Sequence, residues 1–372
     1  MFVIKIFISI LLVLSLISLS SCNIIFGGEN NQIGDRILEG NWYYTVNIDT
    51  VTITIVEYVG VATNVTIPEE LDGKTVTKIQ NDVEDMPVFS SELNRVIIPD
   101  SILEIGENAF SGCNDLESIY LLSEEFPLAA PTAFDGVVAE VLKPNRGNVS
   151  NSWYGLSVNV FESLINYTVL VVDVSGSMKG ESGESISPIR ALRLAVQKFC
   201  ETTLQSSSLE HYIAIVPYNG SVSEENIVKF TKDYEELASF AENLRADGGT
   251  NIEAGLIVAD ELLDPVPNNS YTFRNIILMT DGLPDHGDPS DYGPYTPEDY
   301  KNHRQANAVY NKAEEIKFKG YNIYTLAFLH SLVVFNELKH DLKFVQVFLK
   351  DLQNSGYYEI KEPKDFIFRF IS

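Results

Sequence analysis

The stretch Val169-Leu170-Val171-Val172-Asp173-Val174-Ser175-Gly176-Ser177-Met178 decides the fold of this 372-residue chain. A run of apolar, mostly β-branched residues is the pattern of a strand buried on both faces. It ends abruptly in Asp-x-Ser-x-Ser, which places one carboxylate and two hydroxyls at alternate positions of a tight loop. Hard divalent cations such as Mg2+ take oxygen ligands of this kind. Two later stretches, Gly248-Gly249-Thr250-Asn251 and Thr280-Asp281-Gly282, offer another hydroxyl and another carboxylate.

Outward from this stretch, strand and helix signals alternate to the C-terminus. Strands are predicted over 167–173, 212–218, 275–280, 321–329 and 357–360, and helices over 188–204, 234–244, 251–263, 302–319 and 340–355. A short helix is also predicted from Pro363. The helix at 188–204 carries Leu192, Ala195, Val196 and Phe199 at helical spacing, with Pro188 suited to a first turn. Alternation of this kind implies an α/β fold with a doubly wound, mainly parallel sheet. Such sheets bind ligands at the carboxyl ends of their strands, near a switch point. Asp173 and Asp281 each end a strand, and Thr250 precedes a helix, so the three belong on one rim.

The residues Asp173, Ser175, Ser177, Thr250 and Asp281 resemble the metal-ion-dependent adhesion site of the von Willebrand factor type A domain, and the resemblance covers about 160–372. It implies a Rossmann-like sheet with one Mg2+ (Mn2+ or Ca2+ as alternatives). Ser175, Ser177 and Thr250 would ligate the ion, and Asp173 and Asp281 would act mostly through water. An exposed Asp or Glu of a protein partner would fill an open metal position. In the loop after Asp281, Asp285, His286, Tyr292 and Tyr295 either contact that partner or belong to a solvated Pro/Gly insertion. No enzyme is expected: Ser175 has no nearby candidate base, the carboxylates are too few for two metals, and there is no Gly-rich phosphate loop.

Upstream, residues 41–158 show a short internal period. Asn64-Val65-Thr66-Ile67-Pro68 resembles Arg95-Val96-Ile97-Ile98-Pro99, and Ala109-Phe110 recurs as Ala133-Phe134 before a small turn. One short strand per repeat, stacked with a Phe in the core, accounts for the pattern. The phrase from Ile97 to Ile119 resembles the BspA-like leucine-rich repeats of bacterial surface proteins, which implies a short N-terminal solenoid. Trp42 and Trp153-Tyr154 are candidates to cap its ends. Its role is either a ligand-binding ladder face or a spacer.

Residues 1–19 are almost wholly apolar, with Lys5 the only charge, and Leu19-Ser20-Ser21-Cys22 follows. This resembles a bacterial lipobox, which implies a signal peptide over 1–21, diacylation of Cys22 and a flexible tether over 22–40. An uncleaved anchor helix and an ordinary signal peptide are the alternatives. Asn23, rather than Asp, after the cysteine favours the outer membrane where two membranes exist. Cys113 and Cys200 are read as buried thiols, since three cysteines make no disulfide framework. The formal net charge of −26 argues against a nucleic-acid partner. Together these features describe an exported binding protein of the cell envelope, lipid-anchored to a membrane, whose metal site grips an acidic residue of its partner in adhesion or envelope assembly. The alternative is a structural or assembly subunit that binds mainly through the repeats.

Overall fold

The computed structural model describes residues 34–147, 150–179, 187–205, 209–282, 303–328 and 339–360. The lipobox with Cys22, the loop bearing Asp285, His286, Tyr292 and Tyr295, and the helix expected from Pro363 lie outside these residues.

The C-terminal half is built on a six-stranded sheet. Its strands are β1 (Leu164–Asp173), β2 (Leu209–Tyr218), β3 (Val228–Thr231), β4 (Thr272–Thr280), β5 (Asn322–Phe328) and β6 (Gly356–Ile360), in the order β3-β2-β1-β4-β5-β6. All neighbours are parallel except the edge pair of β3 with β2. Five helices are described: α1 (Pro188–Gln205), α2 (Tyr234–Asn243), α3 (Ile252–Leu263), α4 (Arg304–Phe318) and α5 (Lys339–Leu352).

The period of two along β1 explains why the opening run is apolar throughout. Val169 and Val171 face α3, α4 and α5, packing with Leu256, Val309 and Phe348. Leu170 and Val172 face the opposite way, onto α1 and α2, with Leu192, Val196 and Leu237. A strand covered on both faces has no position for a polar residue until it leaves the sheet. The first polar residue after the run is Asp173, at the strand's carboxyl end.

Local chemistry starts the helices. Asp233 caps α2, accepting hydrogen bonds from the backbone N–H groups of Glu235 and Glu236. Asn251 caps α3, its Oδ1 accepting from Ala254 N at 3.0 Å. The expected opening at Thr250 is therefore displaced by one residue, which frees Thr250 for the rim. Helix α3 presses close to the sheet at Gly255, where a Cβ would stand 2.7 Å from Val171 Cγ1 and 3.0 Å from Tyr218 Cδ1. Only glycine permits that approach without displacing side chains.

The sequence expectation starts β1 at Tyr167; the strand starts three residues earlier, at Leu164. The three added residues, Leu164, Ile165 and Asn166, extend the pairing with β2, and the last two also pair with β4, Asn166 lying between His211 and Phe273.

The N-terminal half consists of a seven-stranded sheet with as many antiparallel as parallel pairs and a six-stranded sheet that is largely parallel. The recurring strands stack in register: Asn64 pairs with Arg95, Arg95 with Ser118, and Ser118 with Glu140. Between the sheets runs a file of aromatic rings. Phe89 stacks on Phe110 at 4.8 Å and Phe110 on Phe134 at 5.3 Å, the ring planes nearly parallel in both cases. Trp42 closes one end against Phe89 and Trp153 the other against Phe134. Phe89 was not expected there, since it lacks the Ala-Phe-x-Gly context of its two neighbours. Cys113 and Cys200 are both buried and unbridged.

The two halves touch through side chains. Tyr120 donates to the Ser270 carbonyl at 2.9 Å and packs on Phe273, and Asn64 Nδ2 donates to Asn322 Oδ1 at 2.9 Å. Leu142, Phe161 and Leu164 complete this small apolar cluster. Among the described residues no helix is long and apolar enough to cross a membrane.

Candidate functional site

The sheet order reverses between β1 and β4, so their carboxyl ends flank the switch point. Asp173, which ends β1, accepts three hydrogen bonds. Ser175 N donates to Oδ1 at 2.8 Å, Thr280 Oγ1 to Oδ2 at 2.8 Å, and Tyr218 OH to Oδ2 at 3.3 Å. The carboxyl thus ties together the ends of β1, β2 and β4. Ser175 Oγ lies 2.9 Å from Ser177 Oγ, and Ser177 Oγ donates to Asp281 Oδ1 at 2.9 Å. The loop before Thr250 is fastened to the same rim, with Gly176 N donating to Gly248 O at 2.9 Å and Asp247 N to Val174 O at 2.8 Å. Thr250 is buried behind that loop.

Of the five residues singled out from sequence, Asp173, Ser175, Ser177 and Asp281 form a continuous hydrogen-bonded chain, and Thr250 follows the loop that is tied to the same rim. Two supporting residues were missed. Thr280 was seen only as the neighbour of Asp281, and Tyr218 only as the last residue of a strand, yet both hold Asp173. Asp285, His286, Tyr292 and Tyr295 cannot be placed, since they lie outside the described residues.

Burial and mutual repulsion act on the two rim carboxyls. Burial pushes the Asp173 carboxyl up from its usual range, against the hydrogen bonds that favour its charge. Asp281 is pushed up to about 8, first by burial and then by the neighbouring Asp173 charge. The two carboxyls therefore oppose each other's ionisation. Asp281 Oδ2 is buried without a hydrogen-bond partner. The expectation of Mg2+, with Mn2+ or Ca2+ as alternatives, is overturned here. Among the described residues no group of three or more His, Cys, Asp or Glu side chains could hold a metal ion. An oxygen-rich motif shows how many donors are available, but only the folded environment shows how much charge they keep.

A family model described as the von Willebrand factor type A domain matches residues 168–283, a span that includes all five rim residues. Residues 168–283 are a von Willebrand factor type A domain. Such domains are non-catalytic binding modules, and the chain is not an enzyme. Inter-alpha-trypsin inhibitor heavy chain H4 of Sus scrofa is 30% identical over 136 residues, covering 35% of this chain and 14% of that protein. The heavy chain 4 of Mus musculus is 30% identical over 129 residues, covering 32% of this chain and 12% of that protein. The chain thus spans less than a fifth of either relative. Among solved structures, the vWF domain of the type V pili tip protein Mfa5 from Porphyromonas gingivalis aligns at 18% identity with a TM-score of 0.42, over 57% of this chain and 94% of that one. The pilus adhesin SpaC from Lactobacillus rhamnosus GG aligns at 18% identity with a TM-score of 0.44, over 57% of this chain and 30% of that one. The family match lies wholly in the C-terminal half and does not extend to the stacked strands before it.

Proposed function

We propose that this chain is an exported, lipid-anchored protein-binding molecule that engages an acidic residue of its partner at the rim formed by Asp173, Ser175, Ser177, Thr250 and Asp281. One observation carries the proposal: side chains from three distant segments converge on one polar rim at the switch point of a binding-module fold. The rim recognises its partner by hydrogen bonding. Ser177 is exposed there, and its hydroxyl can turn from Asp281 to donate to an approaching carboxylate. Attachment through Cys22 would hold the domain at the cell envelope, and the N-terminal stack, as a leucine-rich-repeat spacer, would lift it from the membrane. Residues Asp285, His286, Tyr292 and Tyr295 would frame the partner.

The test is capture of a partner from envelope extract by the immobilised chain, repeated with Ser177→Trp. Because Ser177 is exposed, the indole blocks the rim without entering the core. Capture falls at least about tenfold in the variant, corresponding to roughly 1.4 kcal/mol. Unchanged capture would remove the rim from the account.

A second reading is favoured by one surface feature. Leu103 and Leu128 lie side by side, joined by the bond from Leu128 N to Leu103 O, and are 66% and 69% exposed. An apolar pair displayed on the outer ladder fits a structural or assembly subunit that binds mainly through the stacked strands.

A further inference from the structure

Beside the rim, between the loop after β2 and the end of α2, lies a cavity of about 500 Å³. Val174, one residue beyond Asp173, forms part of its wall. Its polar lining comes from Asn219, Ser221, Ser223, Asn226, Asn243 and Arg245, with Phe240 among its apolar walls. No Asp or Glu lines it. In a chain with 52 acidic and 26 basic side chains, a recess lined by a guanidinium and by no acid is a selective environment.

We infer that this cavity is a second subsite, which takes a further carboxylate of the partner beside the one engaged at the rim, with Arg245 as its cation. The inference deepens the proposed function and rests on it. Arg245 is anchored at one nitrogen, Nη1 donating to the carbonyls of Glu242 at 3.1 Å and Leu244 at 2.9 Å. Among the described residues it forms no ion pair and its other nitrogens make no hydrogen bond. A guanidinium held at one corner presents its remaining N–H groups in a fixed fork, the geometry that a carboxylate accepts in two parallel bonds.

The neighbouring groups add to the preference. Asn226 and Ser221 have side chains with no partner among the described residues, so both can donate to the same anion. Asn219 Oδ1 is occupied by Ser221 N at 3.2 Å and Asn243 Nδ2 by Ser239 O at 2.9 Å, which fixes both amides. Behind Arg245, the Arg193 guanidinium donates to the same Leu244 carbonyl, and its Nε is buried without a partner. Two guanidiniums therefore stand at one end of α2, Arg193 under the influence of the Glu242 carboxylate and Arg245 without an ion pair among the described residues. Phe240 and Leu244 exclude water from one side, which strengthens a charge-assisted bond. A partner residue seated here supplies the negative charge that the fold leaves out.

The experiment uses the full chain with 15N-labelled arginine. It is titrated with the capped peptide acetyl-Gly-Asp-Gly-amide and, separately, with its Asn counterpart. The Arg245 Nε–H signal is assigned by its loss in Arg245→Gln, an exposed position. The Asp peptide moves that signal in a saturable way, the Asn peptide does not, and Asn226→Asp weakens the Asp peptide at least about fivefold by placing a like charge in the cavity. An unmoved signal, an equal shift with both peptides, or an Asp peptide indifferent to Asn226→Asp would overturn the inference. Ser177→Trp separates it from the proposed function. If that variant loses partner capture while the peptide fails to titrate, the cavity falls and the rim stands. If the peptide titrates while the variant keeps its partner, the rim falls and the cavity stands.

Discussion

Replacing Thr280 by Val tests whether the rim is held together by Asp173. The two side chains are nearly the same shape, so the change removes one hydroxyl and little volume. That hydroxyl donates to Asp173 Oδ2 at 2.8 Å, and Asp173 is fully buried (0% exposed). Hydrogen bonds to charged groups contribute about 1.5–3 kcal/mol, and a buried acceptor left short of a donor loses its desolvation compensation as well. Tyr218 OH remains at 3.3 Å, a weaker contact that cannot replace the lost one. Thr280 Oγ1 also accepts from Gly282 N at 3.3 Å, so the segment leaving β4 loses a tie. The expected destabilisation is about 2–3 kcal/mol. At about 2–4 °C per kcal/mol for a domain of this size, the melting temperature falls by roughly 4–12 °C. Differential scanning calorimetry of wild type, Thr280→Val and Thr280→Ser measures it, and Ser, which keeps the hydroxyl, restores most of the loss. A Thr280→Val protein that melts within about 1 °C of wild type would refute the view that Asp173 depends on this bond.

Two further outcomes follow from the interior. Phe110→Ala interrupts the aromatic file between Phe89 and Phe134; it is expected to cost about 3–5 kcal/mol in urea unfolding, because the stack cannot collapse across a missing ring. His211 is buried with neither ring nitrogen hydrogen-bonded, and burial lowers its pKa to about 4. The unfolded chain, with His near about 6.5, takes up that proton first, so stability is full above about pH 6.5 and declines as the pH falls towards 4. The whole effect is at most on the order of 3 kcal/mol. A His211→Phe variant flattens that slope in unfolding measured across this pH range, and an unchanged slope would exclude His211 as its source.

Much of the C-terminal half was legible because its rules are local. The run from Val169 to Asp173 could only be a strand covered on both faces, and the rule that ligands gather at strand ends placed Asp173, Thr250 and Asp281 together. What escaped was long-range. Thr280 and Tyr218 are 107 and 45 residues from Asp173 in sequence, and nothing near either residue shows that their hydroxyls turn toward it. The expected cation failed for a related reason. Donor types are written in the motif, but the pKa of Asp281 is set by burial and by a carboxyl on another strand, neither of which spacing reveals. In the N-terminal half Phe110 and Phe134 announced themselves through a shared Ala-Phe phrase. Phe89 joins the same file from Val88-Phe89-Ser90, where the backbone repeats and the letters do not. The cavity at Arg245 was not visible at all, because its selectivity lies in the absence of acids from one surface of an acidic chain.

The most direct test of the binding account is hydrogen–deuterium exchange on the full chain, with and without its captured partner. Protection on binding is expected at 174–179, 219–226, 243–251 and 280–282, the segments that form the rim and the cavity beside it. Protection confined to the stacked strands between residues 64 and 144, with the rim exchanging as freely as in the unbound chain, would contradict it.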